Sequence, residues 1–278
     1  MIANKKVHIY FIKVFLPLFG FSIAIGVVCG IVNGFYNWCA ENLIALAKKL
    51  YSISRNDMKY FPIPLFSAIA IGFIIGVFIY FFPEIRTSGI PQIEGEALGK
   101  FNVTWYTSVF LLFIVSLLTI ITGMSLGKEG PSIFIGGCIG LGISEIFPIG
   151  RMYKRLLVTV GTSTGLSISA SLPLAGLIFA VEEIYKKFSA QITMATCFSA
   201  CLGLFIKELI YGDIELDIGV IHYEFSPLLF FLSFICGIFG GLAGVAFNLA
   251  LRYTQKMVNK WSRFPLWLRP VIPAAIGA

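Results

Sequence analysis

Charge is scarce in this chain. Asp, Glu, Lys and Arg make up 13% of its 278 residues, where soluble domains carry about 25%, which argues against a soluble fold. Histidine is scarcer still, at His8 and His222 only, and the sequence offers neither a Ser/His/Asp set nor a metal cluster. The six cysteines (Cys29, Cys39, Cys138, Cys197, Cys201 and Cys236) lie in or beside apolar runs, at spacings that form neither a disulfide framework nor a zinc pattern. Cys197 and Cys201 would share a helix face, but no histidine is near them in sequence, and no metal is expected. The glycine-rich runs are apolar and lack the lysine-serine ending of a phosphate-binding loop. No enzyme class and no cofactor is therefore indicated.

What is abundant is apolar. Hydrophobic residues reach 58% and mean hydropathy is +0.89. They arrive in runs around Phe11–Val32, Phe61–Phe82, Ser108–Leu126, Leu156–Val181, Ile192–Leu209 and Pro227–Ala250, several of which meet the ~20 residues that a helix needs to cross a bilayer. The expected fold is an all-α, polytopic membrane protein. Lys5, Lys6 and Lys13 stand before and at the start of the first run, with no cleavage site after it, so that run is read as a retained helix. The net charge of +7 sits in short segments between runs, where lipid headgroups and topology account for it without nucleic acid. Lys48, Lys49, Arg55 and Lys59 compete with the N-terminal lysines, so charge alone leaves the orientation open.

A faint internal repeat is visible. Gly26-Val27-Val28-Cys29-Gly30 aligns with Gly237-Ile238-Phe239-Gly240-Gly241, and the same offset brings Asn37 onto Asn248. After a shorter connection Leu65–Gly72 meets Pro270–Gly277. Close helix packing also favours such glycines, but the register supports a true repeat. The first unit is expected to span 13–213, a linker 214–226, and a second, incomplete unit 227–278.

Three segments carry polar chemistry at membrane depth, where broken helices survive only if protein or a wet cavity satisfies the backbone. Thr87-Ser88-Gly89-Ile90-Pro91 reads as a helix start, with Ser88 suited to the N-cap, Pro91 to the first turn and Gly89 to close approach by a bound group. A hydroxyl, exposed amides and the positive end of a helix dipole suit an anion. An ordinary capped helix has the same pattern.

Gly127-Lys128-Glu129-Gly130-Pro131 puts a carboxylate between two apolar stretches and predicts a second helix start. A membrane carboxylate is a functional candidate by default, able to exchange a proton and to take or vacate an anion's place. A surface Lys128–Glu129 ion pair is the plainer alternative. The third segment runs from Gly161-Thr162-Ser163-Thr164-Gly165 through Pro173-Leu174-Ala175-Gly176 to Glu182-Glu183. It predicts a third helix start, after which one of two neighbouring acids turns inward, because adjacent helical positions point about 100° apart; two solvated acids beside Lys186 and Lys187 are the plainer alternative.

In this order and at this spacing, the three segments resemble the CLC family of chloride channels and chloride/proton exchangers. The resemblance covers essentially the whole chain, and it implies a CLC-type inverted repeat of tilted and broken helices that pairs as a homodimer in the lipid bilayer, in a bacterial inner (plasma) membrane. It implies that Ser88 gives a hydroxyl to a central chloride with the amides of Gly89 and Ile90 beside it. Lys128, Glu129 and Gly130 match the outer anion-binding segment, Glu129 being the gating glutamate. Glu183 matches the internal glutamate that passes protons, which favours chloride/proton antiport over a passive chloride channel. Ser88 also favours chloride over the family's fluoride exporters.

The sequence departs from the family at three places. Thr87 replaces the glycine before Ser88, and Lys128 replaces an arginine, keeping the charge but losing its bidentate fork. The later Gly-Ile-Phe-x-Pro segment and pore tyrosine have no counterpart. A non-transporting, truncated fragment is the expectation from a different functional class.

Overall fold

The computed structural model describes residues 16–56, 62–82, 85, 88–124, 126–147, 150–212, 226–260, 265 and 268–277. Thr87, both histidines, the lysines before residue 16 and nearly all of the expected linker 214–226 lie outside the described residues. The described residues form helices and connecting turns: α1 (Leu16–Asn56), α2 (Pro62–Phe81), α3 (Ile90–Ala97), α4 (Trp105–Ile121), α5 (Glu129–Ile146), α6 (Arg151–Ala170), α7 (Pro173–Phe179) with a π-helical turn (Ala180–Tyr185), α8 (Ala190–Tyr211), α9 (Pro227–Lys260) and α10 (Val271–Gly277). Among the described residues, four stretches are long and apolar enough to cross a membrane: Leu16–Ser52, Pro64–Phe81, Ala190–Tyr211 and Pro227–Val258.

The chain divides into two compact units, 1–213 with 266–278, and 214–265. The second unit holds α9, an apolar helix of 34 residues bearing Phe230, Phe231, Phe234, Phe239 and Phe247. In the first unit, two apolar cores are built around α6. One joins α2, α3, α4, α5 and α6 through Ile75, Ile93, Leu112, Phe134, Leu141 and Val158. The other joins α1, α6 and α8 through Leu18, Ile25, Leu157, Ile168 and Ile192.

Small residues let the helices of the first unit approach backbone to backbone, which replaces the hydrophobic drive that lipid removes. On α1, a methyl group at Gly26 would lie 3.0 Å from the Ser199 carbonyl oxygen, and one at Gly30 would lie 2.8 Å from that of Gly203. Between α5 and α6 the fit is tighter: methyl groups at Gly136 and Gly161 would each collide with the other's carbonyl. Several buried hydroxyls of α6 are satisfied within that helix, Thr159 donating to Arg155 O and Ser167 to Ser163 O, both at 2.8 Å. Thr164 reaches outward to share a hydrogen bond with Ser199 of α8 at 2.8 Å.

The apolar run 156–181 is not one span. It breaks at Ser171, which caps α6 in the left-handed region (φ 55°), and at Leu172, which is extended before Pro173 opens α7. Proline disfavours helix in the residue before it and lacks the amide that would continue α6. The repeat segments fall on α1 and α9 and on α2 and α10, and two of them touch: a methyl group at Gly72 of α2 would lie 2.9 Å from Ala274 Cβ of α10.

Candidate functional site

Two helix starts converge. Ser88 precedes α3, and the residue that caps the helix is Gly89 (φ 85°), with Ile90 and Pro91 in the first turn and no side-chain cap bond. This corrects the assignment of the N-cap to Ser88. The left-handed backbone at Gly89 is one glycine accepts without strain, and a side chain there would strike the ring of Phe134 on α5. Glycine is thus needed both for the turn and for the approach of α3 to α5.

At the head of α5, Glu129 is the first helical residue and Lys128 the cap. Gly130 faces the other helix start, since a methyl group on it would lie 3.0 Å from Ser88 Cβ. Ser88, Gly127 and Pro131 line a cavity of about 310 Å³, together with Ser116 and Thr119 of α4, Pro270 just before α10 and Pro273 within it. The structure therefore brings Ser88, Gly127 and Gly130 together, with Gly89 and Ile90 directly behind Ser88. Among the lining residues Ser88, Ser116 and Thr119 carry hydroxyls and none is charged, a surface able to solvate an anion without fixing it by an opposite charge.

Glu129 is exposed, and its carboxyl folds back over Gly127. Lys128 does not pair with it. Its ammonium instead donates to Glu41 of α1, with the two side chains 21% and 22% exposed. Glu41 is the partner that motif reading missed. The available signal was its isolation as the single carboxylate in the Leu16–Asn56 sequence, an acid within an apolar run. The same side of α1 bears Asn33, Tyr36 and Asn37, all buried, with Asn37 Nδ2 donating to Asn33 O at 2.8 Å.

Glu183 stands elsewhere, in the π-helical turn. Both Glu182 and Glu183 are exposed, which corrects the expectation that one of them turns inward. The wider π winding sets Ala180 and Ile184 as the buried pair of this turn and leaves the two acids between them outside. Close by, Lys186 donates to Glu94 of α3 at 2.6 Å. That hydrogen bond, with the Glu94 charge behind it, raises the Lys186 ammonium above the usual lysine range, and Glu183 adds to the effect. Arg155 anchors the turn, donating to Tyr185 O at 2.8 Å and lying 4.8 Å from the Tyr185 ring centre. Glu96, whose side chain is 2% exposed, joins Lys154 at 2.6 Å and accepts the Val103 amide at 2.7 Å.

Residues 71–278 match the Voltage gated chloride channel family. The chain belongs to that family. It is also 30% identical over 258 residues to the "H(+)/Cl(-) exchange transporter ClcA" of Vibrio cholerae serotype O1, covering 87% of this chain and 53% of that protein. It is 30% identical over 248 residues to the transporter of the same name from Yersinia pseudotuberculosis serotype IB, covering 85% and 50%. The chain thus spans about half the length of these curated relatives. They are named as transporters, not as enzymes.

Among solved structures, a slow cyanobacterial Cl-/H+ antiporter superposes with a TM-score of 0.79 at 24% identity, over 94% of this chain and 63% of that one. A CLC-type fluoride/proton antiporter also reaches 0.79, at 17% identity over 94% and 64%. At these identities the likeness establishes the fold. This member of the voltage gated chloride channel family is an all-helical integral membrane protein.

Proposed function

We propose that this protein exchanges chloride for protons. Chloride passes over the Ser88 hydroxyl with the amides of Gly89 and Ile90 beside it, and Lys128, Glu129 and Gly130 form the outer anion-binding segment. Glu129 alternates between occupying the anion's place and carrying a proton, which Glu183 relays from the other side. The observation that carries the reading is the meeting of two helix starts, Ser88 before α3 and Gly130 in α5, on one uncharged cavity with a carboxylate at the head of α5. Helix starts favour anions through their free amides and dipole. An uncharged lining keeps binding weak enough for exit, as conduction requires. The curated relatives, named as H(+)/Cl(-) exchange transporters, support the choice of ions.

The reading takes chloride and protons as the transported partners and needs no metal, cofactor or nucleic acid. It places the protein as a homodimer in a bacterial plasma membrane. The test is paired chloride and pH recording on sealed vesicles holding the full-length protein, with chloride driven outward. Uphill proton uptake that vanishes in Glu183→Gln is the expected result, and chloride efflux without proton movement would overturn it.

A second reading, a passive chloride channel gated by Glu129, is favoured by one observation: Glu183 is exposed at the π-helical turn, as a solvated acid would be. In that case Glu183→Gln leaves chloride efflux unaltered, and no proton uptake accompanies it.

A further inference from the structure

The last third of α1 and the end of α4 border a groove of about 460 Å³, within the range of about 300–1,000 Å³ usual for small-ligand sites. Ile44 and Ala47 of α1, Ile120 of α4, and Met124 and Leu126 after it make most of the lining apolar, while Lys48, Tyr51 and Ser52 close one end. No lining residue is acidic. Lys48 and its neighbour Lys49 are exposed, and among the described residues neither forms an ion pair. α1 carries no charge before Glu41, a stretch longer than the ~20 residues that cross a hydrocarbon core. The two lysines, about two turns beyond it, fall at headgroup depth.

This groove shares a wall with the cavity beside Ser88. Met124 and Leu126 line both, Gly123 lines only the groove and Gly127 only the cavity, so the connection from α4 to α5 separates the two. The connection turns at Gly123 (φ 72°) and again where the Leu126 amide donates to Met124 O at 2.7 Å. At its far end Lys128 is held by Glu41. Glu41, Ile44 and Lys48 follow one another at three- and four-residue spacing, which sets them on one face of α1, the face turned to this connection.

We infer that the groove binds an acidic phospholipid, its acyl chain along Ile44, Ile120 and Leu126 and its phosphate on Lys48, and that the bound lipid braces the wall of the anion cavity. Cations without a counter-charge at the end of an apolar groove, at headgroup depth, match an anionic headgroup carried on a hydrocarbon tail. A free phosphate would leave the apolar lining uncovered. The bracing rests on the reading of the Ser88 cavity as the chloride path; the lipid site does not.

The site is tested on the full-length protein in detergent, with phosphatidylglycerol or phosphatidylcholine of the same acyl chains added and the lipids held per chain counted by native mass spectrometry. Phosphatidylglycerol is expected to be held in preference, Lys48→Gln to weaken that hold about fivefold, and Lys48→Arg to restore it. Equal retention of the two lipids, or an unaltered hold in Lys48→Gln, overturns the site. Displacement by an equal concentration of glycerol phosphate, which has no acyl chain, also overturns it, since the ligand would then be a free anion.

The bracing is read from chloride flux in vesicles containing phosphatidylglycerol. Half-saturating chloride is expected to rise about fivefold in Lys48→Gln, the low end of coupling between two sites, and to equal that of the unaltered protein in phosphatidylcholine vesicles. Comparing variants in the same vesicles cancels the repulsion of chloride by the charged bilayer. An equal half-saturating concentration in phosphatidylglycerol overturns the bracing. Absence of chloride flux from the unaltered protein in both vesicles refutes the transport reading and the bracing with it, while the lipid count still decides the site.

Discussion

Lys128 and Glu41 stand 87 positions apart in the chain and form an ion pair that ties the head of α5 to α1. The pair takes the cation next to Glu129 out of that carboxylate's reach. Among the described residues no ion pair joins Lys128 to Glu129, its neighbour in sequence.

Breaking this pair should cost stability. Glu41→Gln leaves a largely covered ammonium without its partner, and the expected loss is about 1–2 kcal/mol, between the values for exposed and buried pairs. Thermal unfolding in detergent would measure it. Glu41→Gln combined with Lys128→Met should recover part of the loss, and strict additivity would show that the two residues do not interact.

The α5–α6 contact should tolerate no added atom. Gly161→Ala drives a methyl group into the Gly136 carbonyl, where no flexible side chain can yield, and a loss of about 3 kcal/mol is expected from such overpacking. Gly20→Ala is the control, since nothing lies within 4 Å of a methyl group there, and its effect should stay within about 0.5 kcal/mol. Equal midpoints for the two variants would contradict the packing described above.

Glu96→Ala should destabilise by about 2 kcal/mol, because it strands the Val103 amide and takes from Lys154 its closer carboxylate, leaving Glu145 at 3.9 Å. Glu96→Gln keeps an acceptor for the amide and should lose less. Urea or heat unfolding of the two variants side by side decides whether the amide or the ion pair matters more.

Ser88→Ala should weaken chloride binding roughly fivefold, the value of one neutral hydrogen bond, with little change in the unfolding midpoint because Ser88 does not cap α3. Chloride titration by calorimetry reads this directly. An unaltered affinity would move the chloride path away from Ser88.

The Lys186–Glu94 pair should be insensitive to pH across the neutral range. Its hydrogen bond and Glu94's charge raise the Lys186 ammonium above the ordinary lysine value, so the contribution is fully present below that value and is lost only as pH rises through the folded one. Cross-linking or proteolysis at the turn after α7, followed from neutral to strongly alkaline pH, should change only at the alkaline end.

Much of the fold was legible from residues near one another in sequence. Apolar runs at membrane length, proline at 91, 131 and 173, and glycine at 89 and 127 announce helices and their starts, because proline and glycine act through local backbone geometry. The cap at α3 was read one residue early, since a serine side chain is the usual cap and the positive φ of Gly89 is set by its close approach to Phe134. The break before Pro173 was legible from the proline itself, but the left-handed cap at Ser171 was not. Hydropathy reports partition into lipid, not helix continuity.

By itself, the sequence determined that this chain lives in a membrane, that it is helical, and that anion-suited helix starts stand at 88–91 and 127–131, all properties of composition and of local backbone chemistry. Only the tertiary structure decided which groups meet. The pairing of Lys128 with Glu41, the approach of Gly130 to Ser88, the burial of Tyr36 against Phe113 and the outward turn of Glu182 and Glu183 depend on how α1, α4 and α5 cross and on the π winding after α7. Such contacts join residues tens of positions apart, and short-range periodicity holds no record of the crossing that brings them together.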